Sequence, residues 1–412
     1  MEMIGDPGKI RRGKTALDLL VLLPSTSVGG AEKHTLDLCE AFAAAGMRVT
    51  LLTTADCLGH AAIRAAALEK IAGPVEWRDD ETFEANVRRQ KHGVEQVMAA
   101  RRFDCAIVCA PWPHYAFGLQ KALAEHGAPH LTVAHLFPRP ETPEWSRLPI
   151  MLGVGGQEPS HAWAAVSWPV ARRLEHMFNL PAHAVAHIPN GVDVAPLSPE
   201  ERRRRRAEAR ARLGLEPEGA LALFLGRLEA AKGADLLPEL AAELAPVHAR
   251  IVAAGAGSLR ETLEASEAAR DGRLRLIGHT RNASDWLFAA DLLLAPSRLE
   301  GHPLVALEAA ARRCPVVATD AALECYGQIR HQIAWIAPVN DVAALAAQAR
   351  AALADPAAAA GRVEAGYAMA RRDDKAAMIA AYKSLLRKIV AHDRLTRAAI
   401  WDAPASEARH GA

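Results

Sequence analysis

Two successive series of short apolar runs, alternating with helix-like segments, constrain the fold of this 412-residue chain more than any other feature. Residues 17–23 (LDLLVLL) are almost continuously apolar, which is typical of a strand buried on both faces of a parallel sheet. A loop follows, then a helical pattern over 31–45 that ends at Gly46, and then a second apolar run at 47–53. This strand–loop–helix–strand opening is typical of a doubly wound α/β domain.

The alternation continues to residue 188 and then starts again. Further strands are predicted at 104–109, 130–134, 163–167 and 184–188 in the first series, and at 220–225, 250–254, 273–277, 291–295, 315–318 and 333–337 in the second. Between the series, Ser198-Pro199-Glu200-Glu201 has the spacing of a capping box that begins a helix, with proline at the first helical position. The sequence therefore predicts an α/β protein with two Rossmann-like domains facing each other across a cleft.

The predicted domain boundaries follow from these series. They are a disordered N-terminus at 1–15, an N-terminal domain at 16–197, a C-terminal domain at 198–375, and a C-terminal helix and tail at 376–412.

The balance of charge and the cysteines exclude several classes of protein. A net charge of only +1 argues against a protein built mainly to bind nucleic acid, so an anionic substrate must be bound by a few placed groups. The six cysteines form no C-x-x-C and the 17 histidines no H-E-x-x-H, so we expect no metal site. Most of the cysteines lie in apolar runs and indicate a reducing, cytoplasmic setting.

The sequence also bears on membrane contact. No apolar stretch reaches the length of about 20 residues that a membrane-spanning helix needs. Residues 202–206 are five consecutive arginines, which we interpret as a solvated helix face. The alternative is contact with an anionic acceptor or, as a peripheral protein, with the inner face of the membrane.

Two glycine-containing loops follow predicted strands. Gly29-Gly30 lies after the first strand and before a helix, where glycine lets a ligand approach the backbone and the helix start offers free N–H groups. A tight turn without a ligand is the alternative interpretation. Gly255-x-Gly257 matches only part of the dinucleotide-binding pattern.

A third loop combines glycines with cations. Gly226-Arg227 and Lys232-Gly233 directly follow a predicted strand, at the edge of an open α/β sheet where ligands bind. Arginine suits forked hydrogen bonding to phosphate and lysine supplies a point charge. The loop therefore predicts a phosphate site, with a pair of solvated charges as the alternative.

The segment around two glutamates is the most specific motif. After a predicted strand, a loop carries Glu300, and a helix begins near Pro303. The N–H groups of Leu304 and Val305 would point out of the helix start and, with the dipole, favour a phosphate. A carboxylate beside a phosphate needs another target, and sugar hydroxyls fit: a hexose for Glu300 and a ribose for Glu308. A capping glutamate and a solvated one are the alternative.

Five features, in order, resemble one family, the retaining nucleotide-sugar glycosyltransferases of family 4 or group 1, which have the GT-B fold. They are Gly29-Gly30-Ala31-Glu32, Ile188-Pro189-Asn190-Gly191-Val192-Asp193, Gly226-Arg227 with Lys232-Gly233, Gly255-x-Gly257, and the E-x₇-E pair Glu300 and Glu308. The resemblance extends over about residues 17–355. The combination is specific, although each part alone is not.

The resemblance implies the following roles. Catalytic residues would be Arg227, Lys232, Glu300 and His135. Donor-binding residues would be Gly29, Gly30, Asn190, Gly255, His302, Pro303, Leu304, Val305 and Glu308. The expected donor is a nucleotide-diphosphate sugar, the expected acceptor is a glycan or lipid-linked glycan as in polysaccharide biosynthesis, and no metal or other cofactor is expected.

The chain departs from the family pattern at two places. The family often has Gly-Phe-Gly where this chain has Gly301-His302-Pro303, and a glycine pair where this chain has Ala321 to Tyr326. The second departure leaves a non-catalytic sugar-nucleotide-binding subunit open as an alternative, alongside a sugar-nucleotide epimerase. A dehydrogenase is disfavoured, since no complete G-x-G-x-x-G follows either first strand. The donor base, the sugar and the acceptor stay open.

Overall fold

The computed structural model describes residues 16–140, 161–215, 219–280 and 283–402. The predicted disordered segment 1–15 and the end of the predicted tail, 403–412, lie outside the described residues. Within the described part of the chain there are two sheets, of seven and six strands, and neighbouring strands in both sheets run parallel. The predicted α/β class is therefore confirmed.

The strands occur in the order that the apolar runs predict. The first sheet contains β1 Asp18–Leu23, β2 Arg48–Thr53, β3 Glu69–Ala72, β4 Cys105–Ala110, β5 His130–Ala134, β6 His161–Ala165 and β7 Ala186–His187. The second contains β8 Leu221–Leu225, β9 Arg250–Ala254, β10 Leu274–Gly278, β11 Leu292–Ala295, β12 Val316–Thr319 and β13 Trp335–Ala337.

Helices connect the strands on both sides of each sheet. Those of the first series are α1 Gly30–Ala44, α2 Ala55–Gly59, α3 Ala61–Ala65, α4 Phe83–Ala100, α5 Phe117–Glu125 and α6 Trp168–Met177. Those that follow are α7 Pro199–Arg212, α8 Leu237–Leu244, α9 Arg260–Glu264, α10 Glu267–Arg270, α11 Leu304–Ala311, α12 Arg330–Ile333, α13 Val342–Ala354, α14 Pro356–Arg372 and α15 Lys375–Asp402. None of them, within the described ranges, is both long and apolar enough to cross a bilayer.

Among the strands of the described residues, β3 is the one that the sequence analysis does not predict. It lies at the edge of the first sheet, beside β2. Its four residues, Glu-Lys-Ile-Ala, are exposed or half-buried. Because an edge strand is not covered on both faces, it needs no continuous apolar run, and the signal that revealed the other strands is missing.

The order of strands places two loops at the centre of the molecule. The first sheet has the order β3-β2-β1-β4-β5-β6-β7 and the second β10-β9-β8-β11-β12-β13, so the direction of winding reverses beside β1 and beside β8. Ligands bind outside the carboxyl ends of the strands at such switch points. The loop with Gly29-Gly30 follows β1, and the loop with Arg227 and Lys232 follows β8.

The C-terminal helix α15 returns to the first sheet. Its buried side chains, among them Met378, Tyr382 and Leu386, belong to the apolar cluster around β1 and α1. The returning chain runs beside the outgoing one, since Val192 N–H donates to the Asp373 carbonyl (3.1 Å) and Lys375 N–H donates to the Val192 carbonyl (3.2 Å). The chain thus passes between the two domains twice, and the two connecting segments are hydrogen-bonded to each other.

Candidate active site

The backbones of the two domains meet at Gly301 and His135. Gly301 follows β11, and its α-carbon lies so close to the His135 carbonyl at the end of β5 that a Cβ would overlap the oxygen. The same Cβ position lies 3.2 Å from Cγ2 of Val166, at the end of β6. The glycine is therefore required by close approach, and it places the Glu300 loop against the predicted catalytic residue His135.

Two further contacts join the predicted donor-binding segments across the cleft. The Asn190 side chain, which is buried, donates from Nδ2 to the His302 carbonyl at 2.7 Å. A Cβ placed on Gly30 would lie 3.8 Å from Cδ1 of Leu304, so the glycine loop faces the start of α11. These contacts bring together Gly30, Asn190, His302 and Leu304, which are far apart in the sequence.

The glycine loop is held by the glutamate of its own motif. Glu32 accepts a hydrogen bond from the Gly29 N–H (2.7 Å) and another from the Ser25 hydroxyl (2.5 Å). The carboxylate of the third helical residue bonds back to the residue before the helix, as in a capping box. This explains why Glu32 accompanies the two glycines in the sequence.

Lys232 and Glu300 form an ion pair within the second domain. Lys232 Nζ lies 2.6 Å from Glu300 Oε1, which also accepts a hydrogen bond from the Ser297 hydroxyl at 2.8 Å. Both side chains are largely buried, with 22% and 11% of their area exposed. The predicted phosphate-binding cation and the predicted sugar-binding carboxylate therefore lie in direct contact.

Arg227 is the more open of the two predicted cations. Its guanidinium lies 2.9 Å from Glu229 Oε2 and is about half exposed. Burial and Asp79 raise the pKa of Tyr115 to about 12, and the positive charge of Arg227 acts in the opposite direction. Arg227 is thus close enough, across the cleft, for its charge to act on the pKa of Tyr115 in the first domain.

The backbone of Gly255 packs against the loop that carries Arg227. It has φ +155°, and a Cβ at this position would overlap the carbonyl of Gly226. Only glycine allows the two loops after β8 and β9 to pack backbone to backbone in this way. The donor-binding role of Gly255 stays a prediction. The contact that the structure gives it is the one with Gly226, which fixes how closely the two loops pack.

Among the described residues, no group accepts a hydrogen bond from the first two amides of α11. Pro303 occupies the N-cap position, one residue before the helix. The first backbone bonds inside the helix come from the N–H groups of Ala306 and Leu307, both to the Pro303 carbonyl. The preceding amides, those of Leu304 and Val305, belong to the unsatisfied first turn, which favours an anion.

The predicted ribose-binding residue Glu308 is paired with a residue that the sequence analysis did not identify. Lys33, on α1 of the first domain, forms an ion pair with Glu308 Oε1. Lys33 is about half exposed and Glu308 has 12% of its side chain exposed. A lone lysine on an amphipathic helix carries no sequence signal for such a role, since its partner is 275 residues away.

His135 belongs to a buried cluster with His34 and Tyr382. The His34 ring lies edge-on to the rings of His135 (4.8 Å between centroids) and Tyr382 (5.3 Å). Burial lowers the pKa of His34 to about 3, with the charge of His302 as a smaller cause. Burial also lowers the pKa of His135 well below its ordinary value, and His34 adds to this. Both imidazoles are therefore neutral near pH 7.

His302 is placed with its ring toward the interior. The ring lies 5.2 Å from that of Tyr326, and Nε2 lies 3.9 Å from Asp373 Oδ2. Burial lowers the pKa of His302 to about 3, and His187 and Arg372 lower it further. In this arrangement the residue presents its backbone carbonyl to Asn190, and a contact between its ring and a donor stays a prediction.

The arginines of 202–206 lie on helix α7, and several of them pair with acids. Arg204 contacts Glu201 and Glu208, and Arg206 contacts Asp291, at distances of 2.6 to 2.8 Å. The pairs of Arg204 lie within one helix and are consistent with a solvated face. Arg206 instead binds a neighbouring segment, since it also donates to the Ala289 and Ala290 carbonyls.

The two facing doubly wound domains, with glycine loops and helix starts at the switch points, define the GT-B class of fold. Two family models match this chain: "Glycosyltransferase Family 4" over residues 28–196 and "Glycosyl transferases group 1" over residues 219–355. The chain belongs to this family of glycosyltransferases, as its motifs predict.

Curated relatives match parts of the chain. The D-inositol 3-phosphate glycosyltransferase of Xylanimonas cellulosilytica is 36% identical over 170 residues, which cover 39% of this chain and 40% of the relative. The lipopolysaccharide core biosynthesis mannosyltransferase LpsB of Rhizobium meliloti is 29% identical over 239 residues, covering 52% of this chain and 67% of LpsB. The chain thus spans about two fifths of the length of the first of these relatives.

Solved structures share the fold over nearly the whole chain. HepE of Anabaena, solved with UDP, superposes with a TM-score of 0.72 at 17% identity, covering 90% of this chain and 100% of HepE. WaaG, a glycosyltransferase involved in lipopolysaccharide biosynthesis, gives a TM-score of 0.70 at 17% identity, with 89% and 99% covered. The predicted GT-B fold is confirmed.

Proposed function

We propose that this protein transfers a sugar from a nucleotide-diphosphate sugar to a hydroxyl group of a glycan or lipid-linked acceptor, with retention of the anomeric configuration. One observation carries the proposal: the close approach of Gly301 to His135, which joins the carboxyl edges of the two sheets. It brings the Lys232–Glu300 pair of the second domain next to the first domain. Membership of the glycosyltransferase family supports the same reaction.

The two cations of the β8 loop would bind the donor diphosphate. Negative charge develops on the diphosphate as its bond to the sugar breaks, and fixed donors aimed at that charge lower the barrier. Arg227 is half exposed and able to turn toward the phosphates. Lys232 is already held at Glu300, so an arriving phosphate would share its ammonium and leave Glu300 free to accept hydrogen bonds from sugar hydroxyls.

The start of α11 would hold the rest of the donor. The free amides of Leu304 and Val305 and the helix dipole favour a phosphate there, and Glu308 lies one turn further on for the ribose hydroxyls. The Gly30 loop faces the same helix start from the first domain. A donor in this place would be enclosed by both domains.

The acceptor hydroxyl would attack the sugar on the face from which the diphosphate leaves. The bond between the anomeric carbon and the phosphate oxygen breaks, the bond to the acceptor oxygen forms, and the acceptor proton passes to a phosphate oxygen. The neutral imidazole of His135 is suited to a hydrogen bond near the reacting sugar rather than to a charge. The proposal includes no cofactor and no metal ion, since the two cations of the β8 loop would bind the diphosphate in place of a metal ion.

Related proteins suggest which substrates to test first. HepE has been solved with UDP-glucose as well as with UDP, which favours a uridine donor. LpsB acts in the synthesis of the lipopolysaccharide core, which favours a glycan acceptor. We propose that the reaction takes place in the cytoplasm, with peripheral contact at the inner face of the membrane where a lipid-linked acceptor requires it.

The proposal is tested by thermal stabilisation against a panel of nucleoside diphosphates and their sugars, without added metal. A ligand at 100 times its Kd that binds only the folded state stabilises it by about 2.7 kcal/mol. We expect stabilisation by one nucleoside diphosphate, its loss in Arg227→Ala, and its persistence in the control Arg204→Ala on the outer face of α7. Product from a glycan acceptor, with its anomeric configuration read by NMR, completes the test.

Two results would overturn the proposal. No stabilisation by any nucleoside diphosphate, with or without acceptor, would reject the donor site. Donor binding without transfer or hydrolysis over a broad acceptor panel would identify a non-catalytic subunit, and conversion of the donor sugar without any acceptor would identify an epimerase.

A further inference from the structure

Three buried polar side chains from three different elements meet beside the contact between the domains. His34 lies on α1, His135 directly follows β5, and Tyr382 lies on α15. The His34 ring lies edge-on to both of the others, with centroids 4.8 Å from that of His135 and 5.3 Å from that of Tyr382. His34 is therefore the central member of this group, which we call the His34 cluster.

The His34 cluster is almost closed to solvent. The exposed fractions are 1% for His34, 6% for His135 and 0% for Tyr382. Among the residues that the structure describes, both ring nitrogens of His34, Nε2 of His135 and the Tyr382 hydroxyl are buried without a hydrogen-bond partner. Native proteins pair nearly all of their buried polar atoms, because an unpaired one opposes folding. These four atoms therefore indicate a partner that is not a protein group.

Ordered water has the chemistry to be that partner. Burial lowers the pKa of His34 to about 3 and that of His135 well below its ordinary value, so each neutral imidazole has one donor and one acceptor nitrogen. Burial raises the pKa of Tyr382 far above its ordinary value, so its hydroxyl keeps its proton and is able to donate and to accept. A buried water typically makes about three hydrogen bonds to such groups. Water that bridges the three side chains would satisfy all of these atoms.

The hydroxyl of Tyr382 is not explained by packing. Met378, Leu386 and Ile389 lie on the same buried face of α15, at the spacing of a helix that faces a core. A side chain that only fills this core needs no oxygen, and a buried tyrosine usually bonds its hydroxyl. Tyr382 thus brings one polar group into an otherwise apolar row, and it does so next to His34.

The His34 cluster is connected to the proposed donor site through α1 and β5. His34 lies just over one turn into the helix that follows the glycine loop, and its neighbour Lys33 pairs with Glu308. The His135 carbonyl meets Gly301 of the loop after β11. A change in the cluster would therefore act on groups that lie at the proposed donor site.

We propose that His34 and Tyr382 are positioning residues for His135, and that they hold its ring, through water-mediated hydrogen bonds, in one orientation and one tautomer. The proposal rests on the proposed function, in which His135 makes a hydrogen bond near the reacting sugar. It adds two residues that do not touch the substrate. One of them comes from α15, so the first domain's part of the site is complete only when the C-terminal helix packs against it.

The tautomer matters because the two nitrogens of a neutral imidazole have opposite roles. If Nε2 of His135 accepts a hydrogen bond from the cluster, Nδ1 carries the proton and donates; if Nε2 donates, Nδ1 accepts. The partners of Nε2 thus decide what the ring offers to a sugar hydroxyl through its other nitrogen. Without them, the ring would be divided between the two forms, and only one form would be active.

Tyr382→Phe removes the hydroxyl and keeps the ring that packs against His34. We expect kcat to fall about 3- to 10-fold, which is the effect of one neutral hydrogen bond, while KM for the donor changes less than about twofold. The KM is spared because Tyr382 does not touch the donor. Tyr367→Phe, on α14 beside Arg313, is the matched control and should keep both constants.

Two substitutions of His34 separate hydrogen bonding from packing. His34→Asn keeps a donor and an acceptor, whereas His34→Leu has a similar volume and neither of them. We expect His34→Leu to lower kcat about tenfold or more and His34→Asn to retain most of the activity. Thermal unfolding and circular dichroism check that each variant is folded. Undiminished kcat in His34→Leu would overturn the proposal.

Nitrogen NMR reads the tautomer of His135 independently of catalysis. The chain has 17 histidines, so the ring signals of His135 are assigned by their loss in His135→Asn. We expect the signals of one tautomer in the wild type, and in Tyr382→Phe a shift of both ring nitrogens toward the average of the two tautomers. Unchanged His135 signals in both Tyr382→Phe and His34→Leu would overturn the proposal, since the ring would then be held by other groups.

Failure of this proposal is distinguishable from failure of the proposed function. Altered His135 signals with unaltered kcat would support the hydrogen bonds of the cluster and reject the role proposed for His135 in the reaction. If no substrate is transferred, the NMR comparison still tests the cluster in the full chain. Unaltered signals with full transfer activity in Tyr382→Phe would leave the proposed function intact and reject the positioning roles.

Discussion

Lys33 of helix α1 and Glu308 of helix α11 form an ion pair across the cleft, although 275 residues separate them in the sequence. Glu308 is the carboxylate that we propose binds the donor ribose. In this structure Lys33 therefore binds the carboxylate that we propose accepts hydrogen bonds from the ribose. A half-exposed ion pair of this kind contributes about 0–1 kcal/mol, so a donor is able to displace it.

We expect Glu308→Gln to weaken donor binding much more than Lys33→Gln does. Glu308→Gln removes a charged acceptor for ribose hydroxyls, and such hydrogen bonds contribute about 1.5–3 kcal/mol, or about 10- to 150-fold in Kd. Lys33→Gln removes only the competing partner, so donor affinity should change less than about threefold. Calorimetric titration with the nucleoside diphosphate measures both. Equal losses in the two variants would assign the donor contact to Lys33 as well.

Removal of either β8-loop cation should reduce turnover while the fold is retained. We expect Arg227→Ala and Lys232→Ala each to lower kcat about 10²- to 10³-fold, as is typical when a fixed group that stabilises developing charge is removed. Steady-state kinetics with the identified donor measure this effect, with Arg204→Ala as the control. Full activity in both variants would contradict the roles proposed for them.

Gly301→Ala should separate the domains at their closest contact. The added Cβ would overlap the His135 carbonyl, so the Glu300 loop must move and activity should fall, with a loss of about 1–3 kcal/mol in stability. Gly361→Ala is the matched control, because Gly361 lies in α14 with open space around its Cβ position. There we expect a gain of about 0.4–1 kcal/mol. Thermal unfolding compares the two, and equal effects would argue against the close approach.

Because buried histidines resist protonation, we expect the free energy of unfolding to decrease as the pH falls. Burial lowers the pKa of His34 to about 3, while in the unfolded chain it lies near 6.5, so the unfolded state binds more protons below that pH. Stability is fully present above about pH 6.5 and falls toward pH 3, by up to about 1.4 kcal/mol per pH unit for one histidine.

Unfolding of the wild type and of His34→Asn between pH 5 and 7.5 tests this dependence. The variant lacks one titrating group, so its stability should change less steeply with pH, whatever its stability at pH 7.5. Parallel curves would mean that His34 is protonated to the same degree in the folded and unfolded states.

The local motifs of this protein could be predicted from its sequence because they depend on neighbouring residues. Continuous apolar runs identify the central strands, and the glycines and cations that follow β1 and β8 lie at strand ends for the same local reason. The E-x₇-E spacing likewise places Glu300 in a loop and Glu308 inside the next helix. The α/β fold and the family follow from these patterns.

The tertiary structure alone decided which of these groups meet. The contact of Gly301 with His135, the pairing of Glu324 with Arg173 and the return of Tyr382 on α15 to the first sheet each join residues far apart in the chain. A surface lysine or glutamate has the same local pattern whether or not it faces a partner in the other domain. Such pairs arise only when two sheets, each built from local signals, are packed with their carboxyl edges together.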